Sequence, residues 1–329
     1  MALHRLNSCF GAVSIALSLM LSLVACSNEE SRNESGSAAA SGGATHSNGG
    51  ASVSQGGATP GIGGSPVANV GGSTGNPAAA ATLSGYMNSC LPSWANPAEP
   101  LRAEIIKDII NACEQFGPPP SLNPGWKAEY CWAHLMGSIL KESAYTTDAI
   151  FEAGNDPTVG LTQIRFSSVV CEFYAWGSVS RLQAMGCTIP ADFAAHAGES
   201  CDTASFWQST GGDAAHTAWM ETPVCNIGLG AWMYYIFATS GGSTTTTVYP
   251  WDICNAGSAK GANLAAGLLS HFQGPSSQWA KITSLATVPS VGTGYVTAVK
   301  EVMDCVIGTV SGTHPLFMPL VPNIVQYCK

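Results

Sequence analysis

One segment decides the fold class of this chain: Cys131-Trp132-Ala133-His134-Leu135-Met136-Gly137-Ser138-Ile139-Leu140, followed at once by Lys141-Glu142-Ser143. Its large apolar side chains recur at the spacing that places them on one face of a helix. They are Cys131, Trp132, Leu135, Met136, Ile139 and Leu140. The segment therefore predicts a strongly apolar helix with a carboxylate at its C-terminal end.

Four further segments favour helices, and few show the strict alternation of half-buried strands. The clearest carries Leu101, Ile105, Ile106, Ile109, Ile110 and Cys113 on one face. The others are predicted over residues 226–237, 259–272 and 295–306. The pattern predicts a mainly α protein.

The chain has 329 residues and a formal net charge of −9, which argues against a nucleic-acid-binding surface.

An apolar stretch near the N-terminus ends in Leu23-Val24-Ala25-Cys26, which resembles the lipobox of bacterial lipoproteins. The motif implies a signal peptide over 1–25, a lipidated Cys26 and an exported protein anchored to a membrane, at the outer membrane, in the periplasm or at the cell surface. The alternative is an ordinary secretory peptide with an incidental cysteine.

Residues 26–82 are rich in Gly, Ser and Ala, a composition that cannot bury enough apolar surface to offset its ordering entropy. We expect a flexible, disordered linker there and a single folded domain over residues 83–329. That domain holds ten cysteines, an even number that in an exported chain predicts five disulfides of unknown pairing. A cysteine metal site would need close pairs such as C-x-x-C, and the domain has none, so we expect no metal.

Glu142 is the first candidate catalytic residue. The helix dipole disfavours a carboxylate at a C-terminal end, and an apolar pocket would raise its pKa. Such a carboxyl stays protonated, as a general acid must. The alternative is a solvated glutamate at a helix end.

Five motifs resemble, in the same order, those of the superfamily of goose-type lysozymes and soluble lytic transglycosylases. Ile139-Leu140-Lys141-Glu142-Ser143 is similar to its helix-end E-S motif, and Gly160-Leu161-Thr162-Gln163-Ile164 to its G-L-M-Q motif. Three later segments resemble its N-I-x-x-G, A-Y-N-A-G-P and G-Y-V motifs: Cys225–Ala231, Ser270–Pro275 and Gly294–Val299.

The resemblance implies a lysozyme-like α+β catalytic domain, here stapled by disulfides, and peptidoglycan glycan strands as partner. Glu142 would act as acid and then as base, without metal or organic cofactor. In lytic transglycosylases the substrate's N-acetyl group stabilises the oxocarbenium, and the muramyl C6 hydroxyl attacks to leave a 1,6-anhydro end. Goose-type lysozymes position a water with aspartates. Here Asp156 precedes the G-L-T-Q motif, but Arg165 stands where the goose type carries an aspartate.

We therefore expect transglycosylation and a monomer. Two alternatives stay open: a hydrolase acting on peptidoglycan or chitin, and a catalytically silent glycan-binding lipoprotein.

Four further residues are predicted to contact substrate or to support the site. Ser143 is expected to orient Glu142 or to cap its helix. Gln163 matches a substrate-contacting position, with a helix N-terminal hydrogen-bonding role as the alternative. Asn226 is either a helix N-cap, which we favour, or a ligand contact. His271 stands at the family's tyrosine and would bond the glutamate or the sugar, unless it only packs; a one-residue shift would put Phe272 there instead.

Overall fold

Helices dominate the structure, a computed structural model that describes residues 76–151, 157–165, 179–191, 214–240, 262–273 and 281–322. Within these ranges the helices are α1 (Pro77–Cys90), α2 (Leu101–Phe116), α3 (Ala128–Ser143), α4 (Val179–Met185), α5 (Ala214–Glu221), α6 (Pro223–Ser240), α7 (Leu264–Gln273) and α8 (Ser290–Ile307). Short 3₁₀ turns lie at Ser93–Ala95, Leu285–Thr287 and Pro315–Phe317. The mainly α prediction is confirmed.

A small antiparallel sheet follows α3. Its strands are β1 (Ile150–Phe151), β2 (Thr158–Val159) and β3 (Ile164–Arg165), in the order β1-β2-β3. Ile150 pairs with Val159, and Thr158 pairs with Arg165. The turn between β2 and β3 is the Gly160–Gln163 segment, so the sheet presents the G-L-T-Q motif beside the end of α3.

Helix α1 begins inside the segment that we expected to be linker. Asn76 accepts a hydrogen bond from the Ala78 amide at 3.1 Å, and Pro77 takes the first helical position. Leu83 and Met87 are fully buried, so α1 belongs to the folded part. The alanines after Pro77 fitted a low-complexity linker, but alanine is also the strongest helix former. The boundary therefore moves from residue 83 to residue 76.

Residues 1–75, with the predicted signal peptide, Cys26 and most of the linker, lie outside the described residues. Among the helices that the structure does describe, none has the length and apolar character needed to cross a membrane.

Helix α6 forms the centre of the core. It buries Trp232, Tyr234 and Tyr235 completely, and it packs against α2 and α7. A helix that is apolar on every side is stable only when other elements surround it.

Helix α3 lies against α8, and a Cβ added at Gly137 would come within 3.0 Å of the Val299 Cα. This close approach fixes α3, and with it the position of Glu142.

Three disulfides are present among the described residues, which confirms that the domain is disulfide-bonded. Cys90–Cys305 joins α1 to α8, Cys113–Cys131 joins α2 to α3, and Cys187–Cys225 joins the segment after α4 to α6. The other four cysteines of the domain lie outside the described residues: Cys171, Cys201, Cys254 and Cys328. The expected five pairs are thus shown in part.

Asp108 on α2 is fully buried, and among the described residues neither carboxyl oxygen has a hydrogen-bond partner. The Lys107 ammonium lies 3.7 Å from Oδ1. Burial raises the pKa of Asp108 to about 7 from an ordinary 3.8, against the opposing effect of Lys107. The folded protein therefore binds this proton more tightly than the unfolded chain. The stability that this tighter proton binding contributes is complete below pH ~4 and is lost as the pH rises to ~7.

We expect Asp108→Asn to remove that loss. Above pH 7 the variant should be more stable than the wild type, by at most about 4 kcal/mol, since one pKa unit corresponds to ~1.4 kcal/mol. Below pH 4 the two proteins should be equal. Urea unfolding at pH 4 and pH 8 measures the stability difference between the variant and the wild type at each pH. A difference that is equal at the two pH values would contradict a raised pKa for Asp108.

Candidate active site

Glu142 lies in the last turn of α3, with its side chain 15% exposed. Its Oε1 makes no hydrogen bond to any protein atom that the structure describes. Burial raises the pKa of Glu142 to about 7 from an ordinary 4.5, while Tyr295 and Lys141 act in the opposite direction. The carboxyl is therefore still substantially protonated at neutral pH.

His271 on α7 faces Glu142. Its Nε2 lies 3.8 Å from the Glu142 Oε1 and 3.1 Å from the Thr162 carbonyl oxygen. Burial lowers the pKa of His271 to about 4; the Thr162 carbonyl opposes this shift, and Arg165 adds to it. The ring is thus neutral at neutral pH. We assign the Nε2 proton to the hydrogen bond with Thr162, because a carbonyl oxygen can only accept.

Phe272 takes a different position from the one that the shifted alignment gave it. Its ring stacks on the Tyr295 ring, with centroids 5.1 Å apart and planes 13° apart, and it is 37% exposed. His271, not Phe272, is therefore the residue beside the glutamate, as in the first alignment of the A-Y-N-A-G-P motif.

Tyr295 on α8 is a site residue to which the sequence gave no role. Its buried hydroxyl faces both the Glu142 carboxyl and the Tyr234 hydroxyl of α6, and burial raises the pKa of Tyr295 well above its ordinary value. The available signal was its place within Gly294–Val299, one of the five motifs. Nothing in its own helix indicated which group its hydroxyl would meet.

Ser143 supports the site by joining α3 to the neighbouring turn. Its hydroxyl is near two carbonyl oxygens, that of Ile139 at 3.3 Å and that of Leu161 at 2.9 Å. Ser143 is buried, and these two carbonyl oxygens are the hydrogen-bond partners that its hydroxyl has among the described residues. It therefore positions the helix end against the Gly160–Gln163 turn, and no contact with Glu142 itself is seen.

Asn226 is not the N-cap that we favoured, because α6 begins three residues earlier at Pro223. Its fully buried amide accepts hydrogen bonds from the Thr162 backbone amide at 2.7 Å and the Thr162 hydroxyl at 2.8 Å, and donates to the Val159 carbonyl at 2.8 Å. With these contacts the amide has no open face for a ligand. Asn226 instead fixes the turn beside Glu142.

Gly160 shows how tightly that turn approaches α6. Its φ of +81° is strained for any residue with a Cβ, and an added Cβ would lie 2.3 Å from the Asn226 Nδ2. Gly230, one helical turn after Asn226, is close in the same way: a Cβ there would lie 2.5 Å from the Thr162 hydroxyl oxygen. These contacts explain why glycines occur at both positions.

Gln163 lies in the β2–β3 turn and not at a helix N-terminus. Its side-chain oxygen accepts from the Thr158 hydroxyl at 2.7 Å, and its Nε2 donates to the Ala149 carbonyl at 3.0 Å and the Gly160 carbonyl at 2.7 Å. It is 5% exposed. Gln163 thus holds the small sheet together, and the described geometry leaves little of it for substrate.

The site therefore consists of one buried acid, a neutral histidine, a tyrosine hydroxyl and a tightly fixed turn. Asp156, the candidate for positioning water, lies outside the described residues. In the part of the chain that the structure describes, no three His, Cys, Asp or Glu side chains come together in a way that could hold a metal.

Comparison with protein families, characterised proteins and solved structures finds no match to this chain.

Proposed function

We propose that this protein is a peptidoglycan lytic transglycosylase of lysozyme-like architecture, which cleaves the β-1,4 bond between N-acetylmuramic acid and N-acetylglucosamine and forms a 1,6-anhydro end. One observation carries the proposal: Glu142 is a single buried carboxyl at the end of α3, and its pKa is raised to about 7. A carboxyl in that state can donate a proton to a leaving oxygen and then act as a base at neutral pH.

The reaction needs only this one carboxyl. The Glu142 proton moves to the glycosidic oxygen as the C1–O bond breaks, and the substrate's N-acetyl group stabilises the resulting cation. The Glu142 carboxylate then takes the proton of the C6 hydroxyl, whose oxygen bonds to C1. Glu142 ends the cycle protonated, and no water is consumed.

The groups around Glu142 support this substrate-assisted route. In the described part of the chain, Tyr295 and Lys141 act on the Glu142 carboxyl and His271 lies beside it, and none of these three is a carboxylate. Two-carboxylate glycosidases place the second acid within ~10 Å to act as base or nucleophile. The described surroundings of Glu142 are compatible with a mechanism in which the substrate provides that second function.

We also propose that the mature protein is exported and anchored through a lipid on Cys26. The three disulfides support export, because such bonds persist in oxidising compartments. The low basic content favours a glycan partner over nucleic acid.

Mass spectrometry of digested peptidoglycan tests the proposal. We expect products that are lighter by one water than reducing-end products, because the 1,6-anhydro ring replaces hydrolysis. Their yield should fall as the pH rises through ~7, since Glu142 then loses the proton that it donates. Reducing ends from peptidoglycan or from chitin would instead indicate a hydrolase, and binding without any product would indicate a silent glycan-binding protein.

A further inference from the structure

Two exposed side chains lie on the segments that meet at His271. Phe272 is the next residue on α7 and is 37% exposed. On the other segment, the Thr162 carbonyl oxygen lies 3.1 Å from the His271 Nε2, and Arg165 follows Thr162 by three residues, on β3. The same Nε2 lies 3.8 Å from the Glu142 Oε1. Both side chains therefore adjoin the surroundings of the acid, and the proposed reaction gives neither of them a role.

Phe272 has one ring face covered and keeps part of its ring exposed. The ring stacks on Tyr295, with centroids 5.1 Å apart and planes 13° apart, so Tyr295 covers one face. The exposed part of the ring thus lies away from Tyr295. An aromatic ring attracts apolar and weakly positive C–H groups to its open face, and the C–H face of a pyranose sugar offers such groups. Because the stack already holds the Phe272 ring, binding costs little further entropy there.

Arg165 offers a positive charge on the other segment. Successive residues of a strand point to opposite faces, and here Ile164 is buried while Arg165 is exposed. None of the ion pairs within the described residues includes Arg165. Its charge helps to lower the pKa of His271, as a nearby cation does. In a chain with 12 Lys and Arg residues against 21 Asp and Glu, an exposed cation in this place is available to an anionic ligand.

The two side chains together fit a sugar that carries a carboxylate. A guanidinium binds a carboxylate through two parallel hydrogen bonds, and an aromatic ring stacks on a sugar ring. N-acetylmuramic acid has the required carboxyl on its lactyl ether. That carboxyl is free in glycan strands without peptides; in strands that keep their peptides it is an amide, and the peptide supplies other carboxylates. Chitin has no carboxylate in its repeating unit.

We propose that Phe272 and Arg165 form a recognition rim beside Glu142, in which Phe272 stacks on a sugar ring of the glycan and Arg165 binds a carboxylate of the muramyl unit. Phe272 contributes affinity for any β-1,4 glycan of N-acetylated sugars, whereas Arg165 contributes affinity only where a carboxylate is present. The recognition rim therefore selects peptidoglycan over chitin by charge. This inference deepens the proposed function and rests on it for the identity of the glycan.

Isothermal titration calorimetry tests the recognition rim, in a Glu142→Gln background so that the glycan stays intact. The probes are four tetrasaccharides. Chitotetraose is neutral, and two repeats of N-acetylglucosamine–N-acetylmuramic acid carry free lactyl carboxylates. The methyl ester of that second probe is its neutral counterpart, and the fourth probe is the same glycan with peptides attached. Differences between these probes report the contribution of the carboxylate alone.

Arg165→Gln should weaken binding of carboxylate-bearing glycan by about three- to tenfold, since a charge-assisted hydrogen bond at an exposed site is lost. Binding of chitotetraose and of the methyl ester should be unchanged. A loss with the free lactyl probe places the carboxylate on the lactyl group, and a loss with the peptide-bearing probe alone places it on the peptide. Either result supports the recognition rim.

Phe272→Leu keeps an apolar side chain against Tyr295 but removes the flat ring. It should weaken binding of all four probes by a similar factor, about three- to tenfold, because each probe offers a sugar ring for stacking. Thermal unfolding reports whether the variant folds. If Phe272→Leu does not fold, the exposed Arg165→Gln decides the proposal.

Two exposed side chains on other elements provide matched controls. Lys127 is an exposed cation at the start of α3, at the opposite end from Glu142, and Trp94 is a 65% exposed aromatic residue in the Ser93–Ala95 turn. Lys127→Gln and Trp94→Leu make the same kinds of change outside the recognition rim. Both should bind all four probes as the background protein does.

Three results would overturn the recognition rim. They are an Arg165→Gln effect equal for neutral and charged probes or no larger than that of Lys127→Gln, a folded Phe272→Leu that binds as tightly as the background protein, and no binding of any probe. The proposed function is decided separately by its products. Charge-selective binding without anhydro products would refute the transglycosylase and leave the recognition rim standing. Anhydro products without charge-selective binding would refute the recognition rim alone.

Discussion

Glu142→Gln is expected to abolish lysis of peptidoglycan, with a loss of at least about 10²–10⁴-fold. Glutamine keeps the shape of the side chain but has no transferable proton, and no other carboxyl contacts the position that Glu142 occupies between His271 and Tyr295 in the described geometry. The measurement is release of soluble muropeptides at pH 6, where the wild-type carboxyl is mostly protonated.

Stability provides an independent check on the same variant. Because burial raises the pKa of Glu142 from 4.5 to about 7, the wild type loses the corresponding stability as the pH rises through that interval. Glutamine cannot ionise, so the variant should be at least as stable as the wild type at pH 8. A protein that is inactive and yet fully folded separates catalysis from structure.

Glu129→Gln is the matched control, because Glu129 lies in the first turn of the same helix, at the opposite end from Glu142. It should retain wild-type lysis. Glu142→Gln with activity within a few-fold of the wild type would show that Glu142 is not the acid.

The second large effect is expected from the disulfide Cys90–Cys305. It joins residues 215 positions apart and ties α1 to α8, which packs on the helix that carries Glu142. In the chain-entropy model a crosslink of this span stabilises the fold by about 5 kcal/mol, a large share of a typical total of ~5–15 kcal/mol. Cys90→Ser with Cys305→Ser should therefore lower Tm by roughly 10 °C or more.

The disulfide Cys113–Cys131 provides the comparison. It spans only 18 positions, for which the same model gives about 3 kcal/mol. Thermal unfolding under non-reducing conditions should thus rank the double variant of the long pair below that of the short pair. The reverse order, or no loss in either, would show that α1 is held in place by its buried Leu83 and Met87 rather than by the crosslink.

The helices were predictable because the signal for each is local. Apolar residues at helical spacing identified α2, α3 and α8 to within a few residues, and the same pattern placed Glu142 at the end of an apolar helix. The main error among the predicted helices was α1, where a run of alanines fits a linker and a helix equally well by composition. Only burial of Leu83 and Met87 against other helices distinguishes the two.

The partners of the site residues were not predictable in the same way. Asn226 and Gln163 were expected to cap helices or meet substrate, and the structure shows both as internal supports of the Gly160–Gln163 turn. The hydrogen bond that the Thr162 amide donates to the Asn226 side chain crosses 64 positions of sequence, so no periodicity of either segment reveals it. Likewise, the meeting of Tyr234, Tyr295 and Glu142 depends on three helices packing at one point.

The sequence by itself thus determined a mainly helical, disulfide-bonded domain and a glutamate at the end of an apolar helix. It could do so because hydrophobic periodicity is a pattern within short segments, and cysteine content is a property of the composition. Only the tertiary structure decided that His271 faces the acid, that Asn226 and Gln163 point inward, and that buried hydroxyls lie behind Glu142. Those features arise from close packing between distant segments, where the desolvation and hydrogen bonds of each polar group depend on what the rest of the chain brings beside it.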